Sequence, residues 1–145
     1  MTVMVKEDKL EDKLEDSLSP KELLYSLHSR IKIIEDRLEE IDEEIEKRKK
    51  IGEKIMQSKQ DKKSEYMSYL TKPHQIKQKV KGSDFDEQRA TVQEKIDQLD
   101  HEINKEMESQ WRDIQKLTEE KRDLKEKREE LKRRKMAASR ALGKG

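Results

Sequence analysis

The sequence predicts an all-α protein, either an antiparallel coiled-coil helical hairpin or a small bundle of three or four helices. Charged residues make up 48% of the 145 residues and apolar residues only 30%, against roughly a quarter and a half in typical globular domains. The few apolar residues recur at helical spacing. With four glycines and two prolines, the chain has little material for loops, so most of it is expected to be helical.

A first helix is predicted over about residues 20–70. Ser19 to Glu22 form the start signal, with a serine cap, proline at the first helical position and glutamate three residues after the cap. Gly52 and the polar residues after it leave two alternatives, a continuous helix or one broken at 52–64. The apolar residues follow alternating steps of three and four, the seam of a coiled coil, formed by Leu24, Leu27, Ile31, Ile34, Leu38, Ile41 and Ile45.

A second helix is predicted over about 84–138. The step of 11 residues from Ile103 to Ile114 predicts a hendecad, which relaxes the left-handed supercoil. A similar step in the first helix, from Ile45 to Met56, predicts one change of register in each helix. Core packing is the default role for Trp111, which lies between Ile103 and Ile114, and partner contact is the alternative. The second seam consists of Val92, Ile96, Leu99, Ile103, Met107, Ile114, Leu117, Leu124 and Leu131.

These helices form a single predicted domain over 19–138, joined by a loop at 71–83. Residues 1–18 are predicted to be an acidic arm or a short helix, and 139–145 a flexible basic tail. The C-terminal half of the second helix either projects as a charge-rich single helix or takes an acidic partner. A narrow stripe of leucines in the arm is the best candidate within the chain to dock on it. Three cations interrupt the seam there. The stripe is Leu10, Leu14 and Leu18, and the cations are Lys121, Arg128 and Lys135.

The net charge of +1 conceals strongly charged segments. Residues 1–20 carry −3 and 21–50 carry −1, followed by +5 over 51–81, −7 over 82–120 and +7 over 121–145. Opposite segments of an antiparallel hairpin would neutralise one another. The remaining charge would be available to a partner.

Acidic residues on both helices are candidate partner-binding residues. Rows of carboxylates on a thin helical rod can imitate nucleic-acid phosphates and compete for a positively charged cleft on another protein. A solvated helix face gives the same pattern. The residues are Glu39, Glu40, Glu43, Glu44, Asp97, Asp100 and Glu102.

Basic and aromatic residues form a second set of candidates. Two basic segments could bind nucleic-acid phosphates, although they could equally be a solvated loop and tail. They are Lys72, Lys77, Lys79 and Lys81 in the loop, and Arg133, Arg134, Lys135 and Arg140 near the C-terminus. Tyr66 and Tyr69 precede the loop, where they either cover the end of the hairpin or contact a partner.

Several functions are not expected from this composition. The chain has no cysteine, its three histidines lack zinc-site spacing, and it contains no phosphate-binding glycine loop or nucleophile elbow. Without an apolar pocket, carboxylates cannot be desolvated into general acids or bases. We therefore expect no enzymatic activity, no metal and no cofactor. No run of about 18 apolar residues and no secretory leader are present, so a cytoplasmic location without membrane contact is expected.

The length, the Lys/Glu/Ile-rich composition, the lack of cysteine and the helical pattern resemble the small helical proteins of archaeal two-tailed viruses. That family includes virion proteins and an inhibitor of RNA polymerase. The resemblance implies a viral transcription regulator from a thermophilic host, one that occupies the DNA-binding channel of archaeal RNA polymerase and blocks DNA loading and initiation. It also implies a possible virion location.

The two near-equal helices are also similar to the coiled-coil stalks of flagellar and type III export ATPases. The sequence therefore favours a non-enzymatic interaction protein, with a structural coiled-coil role and direct nucleic-acid binding as the alternatives. Whether the chain is a monomer or a homodimer stays open.

Overall fold

The structure is a computed structural model that describes residues 2–71 and 84–143, with side chains for 9–71 and 86–143. It contains α1 (Thr2–Glu15), α2 (Pro20–Thr71) and α3 (Asp84–Gly143). No strand occurs within the described ranges, and the all-α prediction is confirmed. No helix within those ranges is both long and apolar enough to span a bilayer.

The start of α2 follows the predicted capping signal. The backbone N–H of Glu22 donates to Ser19 Oγ at 3.3 Å, and Ser19 Oγ donates to Glu22 Oε1 at 3.0 Å. Because the first amides of a helix have no intrahelical partner, such a cap stabilises the helix start. The N-terminal segment is a helix rather than an extended arm, and its last turn closes where Leu18 N donates to Glu15 O at 3.0 Å.

Two predicted boundaries differ from the structure. α2 is continuous from Pro20 to Thr71, without the break considered at 52–64. α3 continues to Gly143, so residues 139–143 are helical and not the predicted flexible tail. Alanine, arginine and leucine in this stretch are strong helix formers, and Ala138 is buried in the core. The predicted loop at 71–83 lies outside the described residues except for Thr71, which ends α2.

The described chain forms two compact units. Unit 1 combines the N-terminal residues up to Glu43 with the C-terminal residues from Thr118, and unit 2 comprises Glu44–Leu117.

Unit 1 is a bundle of α1 with the adjoining parts of α2 and α3. The latter two run antiparallel, since Arg37 lies against Glu120 and His28 against Lys135. The seam predicted on α2 is the core, because its apolar residues recur on one helix face. The buried apolar residues of this unit are Leu27, Ile31, Ile34, Leu38, Ile41, Leu124, Leu131 and Ala138.

The described residues of unit 2 form an antiparallel pair of helices, which are the remaining parts of α2 and α3. Lys63 lies against Asp100 and Lys59 against Glu102. Among the side chains described for this unit, the buried apolar ones are Ile96, Leu99 and Ile103. The two predicted architectures therefore both occur, a bundle in unit 1 and a hairpin in unit 2.

In unit 2 buried and half-buried positions continue at heptad spacing through the predicted hendecads, although Met56 and Ile114, which end the two steps, are half-buried as well. After Ile103 the half-buried residues of α3 at heptad spacing are Glu106, Gln110, Asp113 and Leu117. On α2 the packed face continues after Ile45 with Arg48 and Gly52. Polar residues therefore occupy heptad core positions of unit 2 at which the sequence has no apolar residue. The side chains predicted to fill the wider seam are instead exposed, 54% for Met107 and 63% for Trp111.

Candidate partner-binding surfaces

A cluster of six charged residues joins the three helices of unit 1. Asp12 Oδ1 accepts hydrogen bonds from Arg134 at 2.7 Å and from Arg30 at 3.0 Å, and Lys127 Nζ lies 3.7 Å from Asp12 Oδ2. Glu15 pairs with Arg30 and with Arg134, and Glu11 Oε2 lies 2.8 Å from Arg30 Nε. We call these six residues the charge cluster and its three cations, Arg30, Lys127 and Arg134, the basic site.

The charge cluster is buried to an unusual degree for ionised groups. Glu15 is 3% exposed and Arg30 is 8% exposed, and Ser26 Oγ donates to Glu15 Oε2 at 2.8 Å. Because isolated charges are costly to bury, such groups persist where opposite charges and hydrogen bonds satisfy them. The cluster therefore depends on carboxylates and cations being present together.

The pKa of Asp12 reflects this environment. Burial by itself would raise the pKa, but the Arg30 hydrogen bond, the Lys127 charge and the Arg134 hydrogen bond outweigh it and hold the pKa below 3.8. Burial would likewise lower the pKa of Arg30, whereas the hydrogen bond to Asp12 and the charge of Glu15 raise it. Both groups are thus held in their charged forms.

The expected docking through the leucine stripe is wrong for Leu10 and Leu14, which are 60% and 61% exposed, whereas Leu18 is half-buried. The carboxylates of Glu11, Asp12 and Glu15 contact cations of the other helices instead. Asp12 and Glu15 are three residues apart, so one face of α1 presents both. The partner cations on α3 are Lys127 and Arg134, not the predicted trio.

The predicted trio of cations on α3 has other contacts. Lys121 Nζ donates to Asp42 Oδ1 at 2.6 Å, Arg128 Nε lies 3.7 Å from Glu129, and Lys135 Nζ lies 3.2 Å from His28 Nδ1. Lys135 and His28 also line a groove of about 420 Å³ with Lys21, Leu24, Tyr25 and Ser139.

An acidic face covers the outer side of α2 in unit 1. We define it as Asp36, Glu39 and Glu43, all exposed. Within the described part of the chain, neither Glu39 nor Glu43 forms an ion pair. Glu40 is exposed beside the face and pairs with Arg37 at 3.3 Å. Glu44, the fourth acidic candidate on α2, is exposed and belongs to unit 2.

The second predicted acidic row is largely neutralised within unit 2. Lys59 Nζ donates to Glu102 Oε2 at 2.8 Å, and Lys63 Nζ lies 2.6 Å from Asp100 Oδ1. The Lys59 hydrogen bond and charge hold the pKa of Glu102 below its ordinary value. Asp97 is exposed and accepts a hydrogen bond from Gln93 at 3.0 Å. Most of this row serves the hairpin itself.

The basic candidates are divided by the structure. Lys72, Lys77, Lys79 and Lys81 lie outside the described residues. Arg133 and Arg140 are exposed, whereas Arg134 is held in the charge cluster and Lys135 contacts His28. The structure therefore does not present the C-terminal cations as one uniform basic patch.

The two tyrosines before the loop are half-buried. Lys95 Nζ lies 5.9 Å from the ring centroid of Tyr66, within the range of a cation–π contact. Tyr66 therefore contributes to the hairpin.

A polar layer replaces the apolar core in the middle of unit 2. Arg48 Nε donates to Asp113 Oδ2 at 2.8 Å, and Arg48 Nη1 makes a 2.7 Å charge contact with Glu106 Oε1. The hydrogen bonds to Asp113 and then to Glu106 raise the pKa of Arg48. A Cβ at Gly52 would run into the Gln110 side-chain amide, so the glycine gives Gln110 room against the α2 backbone.

The sequence did not predict the charge cluster of unit 1 or the polar layer of unit 2, and the reason can be identified. Counting apolar residues cannot reveal that Arg48 or Lys127 occupies a core position. A usable signal was present: continuing the heptad from Ile103 reaches Glu106, Gln110 and Asp113, and a second helix with Arg48 and Gly52 at its core positions could accommodate them. A polar residue at such a position fixes register at a cost in stability.

The described residues contain no group of three or more His, Cys, Asp or Glu side chains arranged to hold a metal ion. The arrangement is that of an all-α protein whose packed helices leave most charged side chains exposed. Residues 21–140 match the Family of unknown function (DUF8104), and the chain belongs to that family. No curated protein and no solved structure gives a significant match.

Proposed function

We propose that the protein is a non-enzymatic regulator that binds a positively charged surface of a large protein complex through the acidic face of unit 1. The observation that carries this proposal is the exposure of Glu39 and Glu43 without an ion pair in the described chain. Carboxylates at i and i+4 lie on the same side of a helix, opposite the buried Leu38 and Ile41.

The surroundings of the acidic face support a rigid presentation. Arg37 Nη2 donates to Glu120 Oε2 at 2.7 Å, and Lys121 donates to Asp42 at 2.6 Å. These contacts hold α2 against α3, with Arg37 reaching Glu120 of α3 and Lys121 of α3 reaching Asp42. A fixed row of negative charge steers association with a basic cleft and weakens as salt screens it.

The specific partner in this proposal is archaeal RNA polymerase, following the resemblance of the sequence to the helical proteins of archaeal two-tailed viruses. The acidic face would occupy the positively charged channel that otherwise receives DNA. DNA loading and transcription initiation would then be blocked by steric and electrostatic exclusion. A cytoplasmic site of action follows from this partner.

The test uses purified archaeal RNA polymerase and the full chain. The wild-type protein should bind the polymerase and inhibit promoter-dependent transcription, and Glu39→Gln/Glu43→Gln should weaken binding about tenfold, since each exposed charge pair is worth up to about 1 kcal/mol. The matched control is Glu119→Gln/Glu126→Gln, which removes the same charge from exposed positions on α3.

Either of two results would contradict the proposal. One is an equal loss of binding in the variant and its control, which would show that net charge rather than the acidic face matters. The other is salt-sensitive binding of the protein to DNA in a gel shift, since a phosphate mimic should not bind DNA itself.

A further inference from the structure

The basic site of unit 1 needs a negatively charged occupant. Arg30 comes from α2 and Lys127 and Arg134 from α3, and their side chains are 9%, 18% and 27% exposed. Three like charges removed this far from water would repel one another and lose hydration. α1 supplies the compensating carboxylates.

The described side chains of α1, which are those of residues 9–15, attach mainly by charge. Glu11, Asp12 and Glu15 all contact the basic site, while Leu10 and Leu14 are 60% and 61% exposed. Within this stretch, apolar burial therefore contributes little to the attachment. A helix of 14 residues is marginal on its own in water. Its position thus depends on ionic contacts that another acidic helix could reproduce.

The range matched by the family includes the cations of the basic site but not the carboxylates of α1 that contact them. Residues 21–140 match the family, and these include all three cations of the basic site. Asp12 and Glu15 lie before the matched range.

We propose that the basic site is a docking site for an acidic helical segment of a partner protein, which displaces α1. The segment needs two carboxylates three residues apart, the spacing of Asp12 and Glu15. One carboxylate accepts hydrogen bonds from the guanidinium groups of Arg30 and Arg134 near Lys127, and the other replaces Glu15. This site takes an acidic partner and is separate from the acidic face.

The intramolecular α1 lowers the apparent affinity of such a partner. The short connection from Glu15 to Pro20 keeps α1 at a high effective concentration, about millimolar for a short flexible linker. A partner segment must therefore bind tightly or be abundant. Weakening α1 should make the site accessible.

The probe is a fluorescent synthetic peptide with the sequence of residues 2–18, titrated into the full chain at low salt. Asp12→Asn/Glu15→Gln in the protein should tighten peptide binding at least tenfold over wild type. The matched control is Asp16→Asn/Glu119→Gln, which removes the same charge at exposed positions and should bind the peptide as weakly as wild type. Adding Arg134→Gln to the first variant should abolish the gain.

A peptide carrying Asn and Gln in place of Asp12 and Glu15 should not bind any of these proteins. If it binds as well as the acidic peptide, or if the first variant shows no gain over its control, the proposal is overturned. Neither result depends on Glu39 or Glu43, so failure here is distinguishable from failure of the polymerase proposal.

A second measurement does not require a destabilised variant. Excess acidic peptide added to the wild-type protein should accelerate hydrogen exchange of α1 amides, because displaced α1 loses its helical protection, and the Asn/Gln peptide should not. Unchanged exchange at saturating peptide would overturn the proposal. So would a concentration-dependent dimer that Asp12→Asn/Glu15→Gln abolishes, because the occupant would then be α1 of a second copy.

Discussion

Units 1 and 2 are both built on α2 and α3, but they differ in which side chains they bury. In unit 1, α1 covers α2 and α3, and apolar side chains such as Leu27 and Leu131 are 0% exposed. In the described part of unit 2 two helices pack, and Arg48, Gly52 and Gln110 occupy positions where a coiled coil would place apolar residues. The comparison shows that a third helix allows both a drier core and the burial of cations, provided that the helix brings carboxylates.

The two units should differ most in the free energy of unfolding that is lost when a core side chain is truncated. Leu131→Ala should lower the free energy of unfolding by about 4 kcal/mol, because it removes transfer energy and leaves a cavity. Ile55→Ala in unit 2, where the side chain is half-buried, should cost about 1 kcal/mol. Urea unfolding followed by circular dichroism measures both. Similar costs would show that the two units are equally well packed.

A smaller difference is expected between the stability costs of replacing Arg30 in unit 1 and Arg48 in unit 2. Arg30→Met should cost about 3 kcal/mol, because it leaves the buried Glu15 without its main cation. Arg48→Met should cost less, about 2 kcal/mol, because Asp113 is 48% exposed and can be solvated by water, although Glu106, at 16% exposed, loses its cation. Hydrogen exchange should localise the first effect to unit 1 and the second to unit 2. Equal effects would mean that burial does not separate the two clusters.

Acid should weaken unit 1 through Asp12. Its pKa in the folded protein lies below 3.8, so the carboxylate stabilises the fold above about pH 4, and this contribution is lost as the pH falls through the folded-state pKa. Stability of the wild-type protein should therefore fall more steeply below pH 4 than that of Asp12→Asn. The same acid dependence in both proteins would assign the loss to other carboxylates.

The smallest expected change is in the polar layer. Gly52→Ala should stabilise α2 by about 0.5 kcal/mol, since alanine has the higher helix propensity by about 1 kcal/mol and the flexible Gln110 side chain can move away from the new Cβ. Thermal unfolding measures the change, with Gly52→Ala/Gln110→Ala as the control. A loss of stability in Gly52→Ala that the double variant restores would show that the Gln110 contact outweighs propensity.

The sequence predicted the parts of the fold that depend on local rules. The capping residues Ser19 and Glu22 and the heptad from Leu27 to Ile41 appear as expected, because helix starts and apolar periodicity are local signals. The same logic failed at Trp111 and Met107. There the apolar pattern suggested a wider seam, whereas the helices kept one register and placed polar side chains inside.

The candidate sites were less predictable than the fold. Glu39 and Glu43 are exposed as the acidic hypothesis required, but Asp100 and Glu102 face lysines of α2. The position of a charge along one helix does not reveal which charge lies across from it. Arg134 illustrates this, since the sequence placed it in a basic tail and the structure places it against Asp12 and Glu15.

The balanced composition and the spacing of apolar residues by themselves determined that the chain is helical, because each helix needs only one narrow apolar stripe. Only the tertiary structure decided that α1 turns its carboxylates inward and its leucines outward. The physical reason is that buried cations require opposite charge nearby more strongly than two leucines require burial. This orientation of α1 distinguishes unit 1 from unit 2, and it depends on contacts between residues up to 122 positions apart.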